Sequence, residues 1–366
     1  MSVYNSGNLF KFAILNIVCF FLSVDYRNTN TKHTSMIEKI LTHIAFVDIR
    51  GVSVGNAQDI DAATGVTVFR LTEPSPAAVT VFGGGPASRE TETIVPERSH
   101  PLNALVFSGG SAYGLAAADG VMRCLEAHGV GYETGLALVP IVCQSCIYDL
   151  GYGSATVRPT ADMGYTACEA SFAKNDPRSG NVGAGTGATV GKAAGMKQAQ
   201  KSGIGYAALE MGRLQIGVAV VLNSYGDVFA GGEKIAGMLT LDRTAFADSC
   251  ETLLQQSSEN LFVSTTNTTL AAIFTNGDFA PAQLKHIAQM ASAGMARGIK
   301  PAFTSADGDT IYAISVGKKA DKVDANLDVV GDLAATLLEE ALADAVRSST
   351  VSEAEYLEKV RFCPTI

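Results

Sequence analysis

The sequence predicts an α/β fold in which helices cover layered sheets. Beyond residue 45, strand-like and helix-like segments alternate without a convincing linker. Several of the strand-like segments are apolar on both faces, which is typical of a sheet that is covered on both sides. Hydrophobic residues make up 47% of the 366 residues and charged residues 17%, so the chain can bury a large core. We therefore expect one layered α/β domain.

Short apolar runs predict the strands, and apolar residues at helical spacing predict the helices. A helix over 280–297 has Pro281 in its first turn, where proline is favoured. A helix over 326–347 has Asn326 as a good N-cap. A third helix, over 111–128, follows a Gly-Gly turn. The predicted strands are 65–71, 77–82, 103–108, 136–142, 214–223, 269–275 and 310–316.

Charge and cysteine usage limit the classes of partner and compartment. The net charge is −9 and no block of Lys or Arg is present, so nucleic acid would be repelled. The odd number and irregular spacing of the cysteines favour reduced thiols in the cytoplasm. Cys143 and Cys146 form a CxxC inside an apolar stretch, and we interpret them as small buried side chains rather than a redox or zinc pair. The seven cysteines are Cys19, Cys124, Cys143, Cys146, Cys168, Cys250 and Cys363.

Residues 1–45 are predicted to be an extension outside the catalytic domain. Residues 10–24 are apolar but too short for a comfortable membrane span. They resemble the hydrophobic region of a signal peptide, yet no clear small-x-small cleavage site follows. An overlong start, with translation beginning at Met36, or a disordered extension is favoured over export. We therefore expect a cytoplasmic protein without stable membrane association, and export is the alternative.

Three familiar active-site patterns fail in this chain. The glycine-rich run 180–195 has Thr186 at the first glycine of a phosphate loop and Ala193 where Ser or Thr should bind magnesium. Val190 takes the place of the third glycine of a dinucleotide loop. Tyr113 occupies the last glycine of an esterase elbow. The five histidines have no supporting motif, and no cluster of His, Cys and carboxylates has metal-ligand spacing. We expect no metal and no other cofactor.

A self-cleavage site is predicted at Asn267-Thr268-Thr269. The polar segment 255–266 precedes it and has the character of a linker, and the apolar run 270–274 has the length of a buried strand. Cleavage before Thr268 would leave its hydroxyl beside its own α-amino group, which is one way to activate a weak alcohol nucleophile. Taken alone, a Thr-rich strand start is the commoner explanation. The hypothesis therefore depends on the other motifs of the chain.

Five stretches together resemble the self-processing aminopeptidases typified by L-aminopeptidase/D-esterase (DmpA type) and the β-peptidyl aminopeptidases, a family that includes a nylon-oligomer hydrolase. The likeness runs from about Gly51 to about Ala345. It implies an α/β/β/α sandwich shared with ornithine acetyltransferases, cut into an α chain that covers 46–267 and a β chain that covers 268–366. It also implies a homo-oligomer of αβ units. The stretches are 106–121, 139–151, 180–192, 267–276 and 301–315.

The resemblance also implies the catalytic roles. Thr268 is the nucleophile, Asn223 holds the oxyanion, and Tyr148 approaches from the other side. Lys192 keeps an acidic pair ionised. That pair or the α-amino group of Thr268 takes the proton. Ordinary explanations exist for single positions, because Asn commonly caps a turn and Asp-Gly-Asp is typical of a hairpin. The candidate catalytic positions are Thr268, Asn223, Lys192, Asp307, Asp309 and Tyr148.

The combination predicts an aminopeptidase or amidase that hydrolyses N-terminal residues of short peptides, amides or esters through a Thr acyl-enzyme. Glu133 lies at a plausible pocket rim and is a candidate to bind the free amine of the substrate, although an exposed loop Glu is the commoner role. One alternative is an acyltransferase of the ornithine-acetyltransferase type. A second is a hydrolase of ω-amino-acid (nylon-type) oligomers, and a third is a catalytically silent binding protein.

Overall fold

The computed structural model describes residues 40–98, 100–258 and 267–361. The chain divides into a unit of residues 1–42, of which 40–42 are described, and a compact unit of residues 43–366. The apolar segment 10–24 lies outside the described residues, as does most of the polar segment 255–266 that precedes the predicted cleavage site. Within the described part of the chain, no helix is long and apolar enough to cross a membrane.

The regular elements are numbered in chain order. The strands are β1 Leu41–His43, β2 Val52–Asp59, β3 Thr64–Ser75, β4 Ala77–Val81, β5 Ala87–Arg89, β6 Leu102–Ser108, β7 Tyr132–Glu133, β8 Leu138–Val139, β9 Val142–Cys146, β10 Thr189–Val190, β11 Gln200–Lys201, β12 Ile204–Met211, β13 Leu214–Asn223, β14 Asp227–Ala230, β15 Glu233–Ala236, β16 Thr268–Thr275, β17 Ile299–Lys300 and β18 Thr310–Ser315. The helices are α1 Ala117–Ala127, α2 Ala161–Ala173, α3 Ser249–Ser258, α4 Pro281–Gly298, α5 Leu327–Arg347 and α6 Glu353–Lys359.

Two sheets and two helix pairs form the layers of the larger unit. The first sheet has the order β2-β3-β6-β9-β5, and α1 and α2 pack against it. The second sheet runs β12-β13-β16-β18-β4, and α4 and α5 pack against it. Strand β16 lies at the centre of the second sheet, antiparallel to β13 and parallel to β18. Strand β16, which begins at Thr268, is therefore paired along both edges.

Aromatic side chains from both sheets fill the core between them. Phe69 of the first sheet and Phe274 of the second are fully buried, and their ring centroids lie 5.3 Å apart. Phe107 and Tyr312 extend this contact, with centroids 6.0 Å apart. The Tyr312 hydroxyl also hydrogen-bonds with Ser145 Oγ at 2.7 Å, so its polar atom is satisfied across the sheets. The predicted layered α/β sandwich is confirmed, with its layers in the order α/β/β/α.

The element predictions succeed where apolar periodicity is strong. Strand 214–223 is confirmed at both ends, and 269–275 is one residue short of β16. The strand 136–142 is wrong, because the chain forms the small β7–β8 hairpin there and the buried strand begins at Val142. The segment 111–128 starts as a 3₁₀ turn before α1. Strands β2 and β12 and helix α2 were not predicted.

Both cysteines of the CxxC are buried on or at the end of β9, in accord with their interpretation as small core side chains. Burial raises the pKa of Cys143 and of Cys146 to about 12, so both remain thiols at neutral pH.

We expect Phe274→Ala to lower the free energy of unfolding by about 3–5 kcal/mol, because the truncated ring leaves a cavity between the sheets. Equilibrium urea unfolding measures this loss, in a Thr268→Ala background that lacks the hydroxyl of the predicted cleavage site. Leu136→Ala is the control, because Leu136 is 98% exposed and its loss should change the free energy by no more than about 0.5 kcal/mol. Equal effects of the two substitutions would contradict the assignment of the core.

Candidate active site

Thr268 begins β16 and lies opposite Asn223, the last residue of β13. The preceding residue, Asn267, forms a parallel bridge with Asp307, just before β18. These four residues are buried, and Thr268 is only 4% exposed. The ends of three adjacent strands therefore bring together the candidate nucleophile, the candidate oxyanion donor and one candidate acid.

The peptide bond between Asn267 and Thr268 is surrounded by hydrogen-bond donors. The Asn267 carbonyl accepts from the Gly308 N–H at 2.8 Å and from the Thr268 hydroxyl. A Cβ atom at Gly308 would lie 2.7 Å from Thr268 Oγ1. Only glycine therefore lets the turn approach the hydroxyl this closely.

The acidic pair is held by backbone and side-chain donors. Asp309 Oδ1 accepts from the Thr269 N–H at 2.6 Å, and Oδ2 accepts from the Phe303 N–H at 3.0 Å. Asp307 Oδ2 accepts from the N–H and the hydroxyl of Thr304 at 2.8 and 2.6 Å. Asp307 Oδ1 is buried and has no hydrogen-bond partner among the described residues. One acceptor beside the candidate nucleophile is therefore available for a new donor.

Burial and mutual repulsion control the charge of the acidic pair. Burial, followed by the charge of Asp307, raises the pKa of Asp309 to about 7. Burial also raises the pKa of Asp307, and the hydrogen bonds from Thr304 oppose this rise. The pair consequently takes up a proton far more readily than exposed carboxylates do.

Lys192 and Asn223 form a buried network next to Thr268. Lys192 Nζ donates to Asn223 Oδ1 at 2.8 Å and to the Asn223 carbonyl at 2.9 Å. The Thr189 N–H also donates to Asn223 Oδ1, at 3.1 Å. Because these partners are donors, the amide oxygen faces them, and Nδ2 faces the Tyr148 carbonyl, to which it donates at 3.0 Å. The network thus fixes the orientation of the Asn223 amide.

The glycine loop places Lys192 in this network. Gly191 has φ +72°, and a Cβ there would lie 2.0 Å from the Met238 nitrogen, so the position requires glycine. Burial lowers the pKa of Lys192 to about 7, although Asp307, Asp149 and Asp309 attract its charge and act in the opposite direction. Lys192 is therefore a buried amine whose charge depends on the nearby carboxylates.

A second glycine run supports the acidic turn and was missed in the sequence. The Phe82 N–H donates to the Asp309 carbonyl at 2.9 Å, and the Gly85 N–H donates to the Asp307 carbonyl at 2.8 Å. A Cβ at Gly83 would meet the Asp307 carbonyl oxygen at 2.1 Å. The consecutive glycines before Pro86 are the signal for such a close backbone approach, but nothing local indicates which turn they contact.

Two candidate residues make no observed side-chain contact with the network around Thr268. The Tyr148 side chain is 37% exposed, and the residue contacts Asn223 through its backbone carbonyl. Glu133 is exposed on β7, where its carboxylate accepts from the Gly135 N–H at 2.8 Å within its own hairpin. The observed contacts therefore join Tyr148, but not Glu133, to the network around Thr268.

Comparison with known sequences agrees with the motifs. Residues 45–356 match Peptidase family S58. An uncharacterized aminopeptidase of Mycobacterium tuberculosis is 39% identical over 293 residues, which cover 75% of this chain and 82% of that protein. The 6-aminohexanoate-oligomer endohydrolase of Kocuria sp. is 29% identical over 315 residues, which cover 82% of this chain and 85% of that protein. These matches confirm the resemblance inferred from the five stretches.

Solved structures agree with the fold. The L-aminopeptidase D-Ala-esterase/amidase of Ochrobactrum anthropi, a variant of the Ntn hydrolase fold, has a TM-score of 0.63 and 21% identity, and the match covers 83% of this chain and 86% of that chain. A Burkholderia sp. β-aminopeptidase has a TM-score of 0.59 and 20% identity, covering 88% of this chain and 96% of that chain. The chain therefore has an Ntn-hydrolase type of sandwich.

We expect the stability of the chain to fall as the pH rises from about 4 to about 7, in part through Asp309. The pKa of Asp309 in the folded state is raised from 3.8 to about 7, so the folded state binds this proton more tightly and loses the advantage as the proton leaves. One such group contributes a slope of at most about 1.4 kcal/mol per pH unit. Urea unfolding across this range, in a Thr268→Ala background, should show a flatter profile for Asp309→Asn. Asp162→Asn is the control, because the Asp162 side chain is 92% exposed. If the Thr268→Ala protein and its Asp309→Asn and Asp162→Asn derivatives all gave the same pH profile, the raised pKa of Asp309 would be refuted.

Proposed function

The chain belongs to Peptidase family S58 and is a hydrolase, and we propose that it is a self-cleaving N-terminal-nucleophile aminopeptidase whose nucleophile is Thr268. The observation that carries this proposal is the geometry of the Asn267–Thr268 bond. The hydroxyl of Thr268 contacts the carbonyl that it would attack, and the Gly308 N–H already donates to that carbonyl at 2.8 Å. The burial of the Thr268 hydroxyl also supports self-cleavage, because substrates could not reach the hydroxyl until Asn267 had moved away.

Self-cleavage is the first step of the proposed mechanism. Thr268 Oγ1 bonds to the carbonyl carbon of Asn267, the bond from that carbon to the Thr268 nitrogen breaks, and the hydroxyl proton ends on the departing nitrogen. The Gly308 N–H would stabilise the oxyanion that forms on the Asn267 oxygen. Water then hydrolyses the ester and releases the hydroxyl and the α-amino group of Thr268 together.

Substrate hydrolysis is the second step. The free α-amino group of Thr268 would take the hydroxyl proton as Oγ1 attacks the scissile carbonyl of a short peptide or amide. The ammonium group formed in this way needs an acceptor, and the unpartnered Oδ1 of Asp307 supports that role. The leaving amine then takes the proton, and water hydrolyses the acyl-enzyme. Asp309 accepts from the Thr269 N–H and would keep the first residues of β16 in place.

Asn223 is the proposed oxyanion donor for the substrate. One hydrogen of its Nδ2 goes to the Tyr148 carbonyl, and the second is available at the strand end opposite Thr268. Lys192 prevents a flip of the Asn223 amide, because the flip would bring the Nδ2 hydrogens against the ammonium group of Lys192. A fixed neutral donor in a buried site stabilises developing charge strongly. The geometry supports Asn223 and Lys192 as a unit.

The proposed substrates are N-terminal residues of short peptides, amides or esters, bound by a homo-oligomer of αβ units in the cytoplasm. The free thiols of Cys124, Cys143, Cys146, Cys168 and Cys250 support a reducing compartment.

A second candidate activity is hydrolysis of ω-amino-acid oligomers, which the likeness to the Kocuria 6-aminohexanoate-oligomer endohydrolase favours. Acyl transfer remains the third candidate. Release of free amine with and without an added amine acceptor distinguishes transfer from hydrolysis.

Intact-mass spectrometry of the purified, denatured protein tests self-cleavage. We expect two species that divide between Asn267 and Thr268, and a single species for Thr268→Ala. Thr268→Ser should still divide, because Ser keeps a hydroxyl nucleophile. Thr269→Val is the matched control, because the next residue of the strand is also buried, and its loss of a hydroxyl should leave processing intact. Two fragments from Thr268→Ala, or an undivided parent protein, would refute the proposal.

Steady-state kinetics on the processed enzyme tests the oxyanion donor. We expect Asn223→Ala to lower kcat about 10²–10³-fold with a smaller change in KM, because the lost hydrogen bond acts mainly in the transition state. Tyr148→Phe should lower kcat less, since the observed contact of Tyr148 with Asn223 uses the backbone carbonyl. A larger loss for Tyr148→Phe than for Asn223→Ala would reverse these roles.

A further inference from the structure

A cluster of metal-ligating side chains lies between helices α1 and α2, apart from the residues around Thr268. Cys124 and His128 are one helical turn apart, since the His128 N–H donates to the Cys124 carbonyl at 3.1 Å. Glu169 on α2 faces both, with Oε1 3.0 Å from His128 Nε2 and 3.7 Å from Cys124 Sγ. The three ligand atoms all lie within 4.8 Å of one another.

The donor set is the kind that zinc binds. Zinc takes thiolate sulfur, imidazole nitrogen and carboxylate oxygen at about 2.0–2.3 Å, so ligand atoms in a tetrahedral site lie about 3.3–3.8 Å apart. The observed separations come within about 1 Å of that range. One thiolate and one carboxylate would also balance the two positive charges of the ion.

The surroundings orient one ligand and leave two ligands open to solvent. The His128 ring stacks on Phe172, with centroids 3.8 Å apart and planes 11° from parallel, so the ring orientation is set before any ion binds. Cys124 is fully buried, while the side chains of His128 and Glu169 are 36% and 41% exposed. The two outer ligands are therefore open to solvent, while the thiol is covered.

We propose that Cys124, His128 and Glu169 form a zinc-binding site with three protein ligands and a fourth position for water. The sequence analysis found no metal-ligand cluster because it compared spacings along the chain, and these do not show which residues of different helices meet. The i,i+4 pair at the C-terminal end of α1 needs its third ligand from α2, a helix that was not predicted. The site would join two helices on the outer face of the first sheet, and it does not depend on the chemistry at Thr268.

Cobalt(II) titration of the reduced, chelator-free protein tests the site, because cobalt replaces zinc and shows a charge-transfer band with thiolates. We expect one cobalt per chain, a thiolate band, and displacement of the ion by zinc. Cys124→Ser should abolish the band, and Glu169→Gln should weaken cobalt binding at least about tenfold. Cys250→Ser, which removes an exposed thiol on α3, should change neither.

A parent protein that binds cobalt without a thiolate band would overturn the proposal, and so would a band that persists in Cys124→Ser or disappears in Cys250→Ser. If Cys124→Ser fails to fold, substitutions of the partly exposed ligands His128 and Glu169 test the site instead. Unchanged cobalt affinity in both Glu169→Gln and His128→Gln would then show that the two side chains form only an ion pair. Repeating the titration in Thr268→Ala separates this result from self-cleavage.

Discussion

The backbone pairing of β16 with its two neighbours is the constraint on which the candidate site depends. Antiparallel pairing sets Thr268 opposite Asn223, and parallel pairing with β18 brings Asp309 to the Thr269 N–H. A slip of one residue would move every side chain of β16 to the other face and expose its apolar residues to the wrong layer. Because β16 is buried along its whole length, the packing of Phe274 between the sheets fixes the register that positions Thr268.

Within that frame, the charged groups of the site stabilise one another in the interior. A lone ammonium or carboxylate is costly to bury, and Lys192 lies near three acidic residues while donating to two oxygens of Asn223. These interactions offset only part of the cost of burial, so burial moves the pKa of both Lys192 and Asp309 to about 7. Groups with such pKa values exchange protons readily at neutral pH, a property expected of catalytic sites and rarely needed in a structural core.

The limits of sequence-based prediction follow from which signals are local. Strand 214–223 and helix 326–347 were predicted because apolar spacing and the Asn326 cap lie within each segment, and the motifs indicated Thr268 and its partners. The strand 136–142 failed, because apolar composition there does not show that Leu136 is 98% exposed at a hairpin tip. The contact of the Gly83–Gly85 run with the Asp307 turn and the approach of Glu169 to α1 connect distant segments, so no local pattern reports them.

In the proposed mechanism the same groups serve two reactions in sequence. While the chain is intact, the Gly308 N–H and the buried hydroxyl of Thr268 both donate to the Asn267 carbonyl. Cleavage would turn this carbonyl into a carboxylate at a free chain end, and its departure would make the N–H, the hydroxyl and the new α-amino group available. Activity on other molecules would therefore begin only when the chain has processed itself. The burial of Thr268 in the intact chain would then keep substrates away from its hydroxyl until the chain is cut.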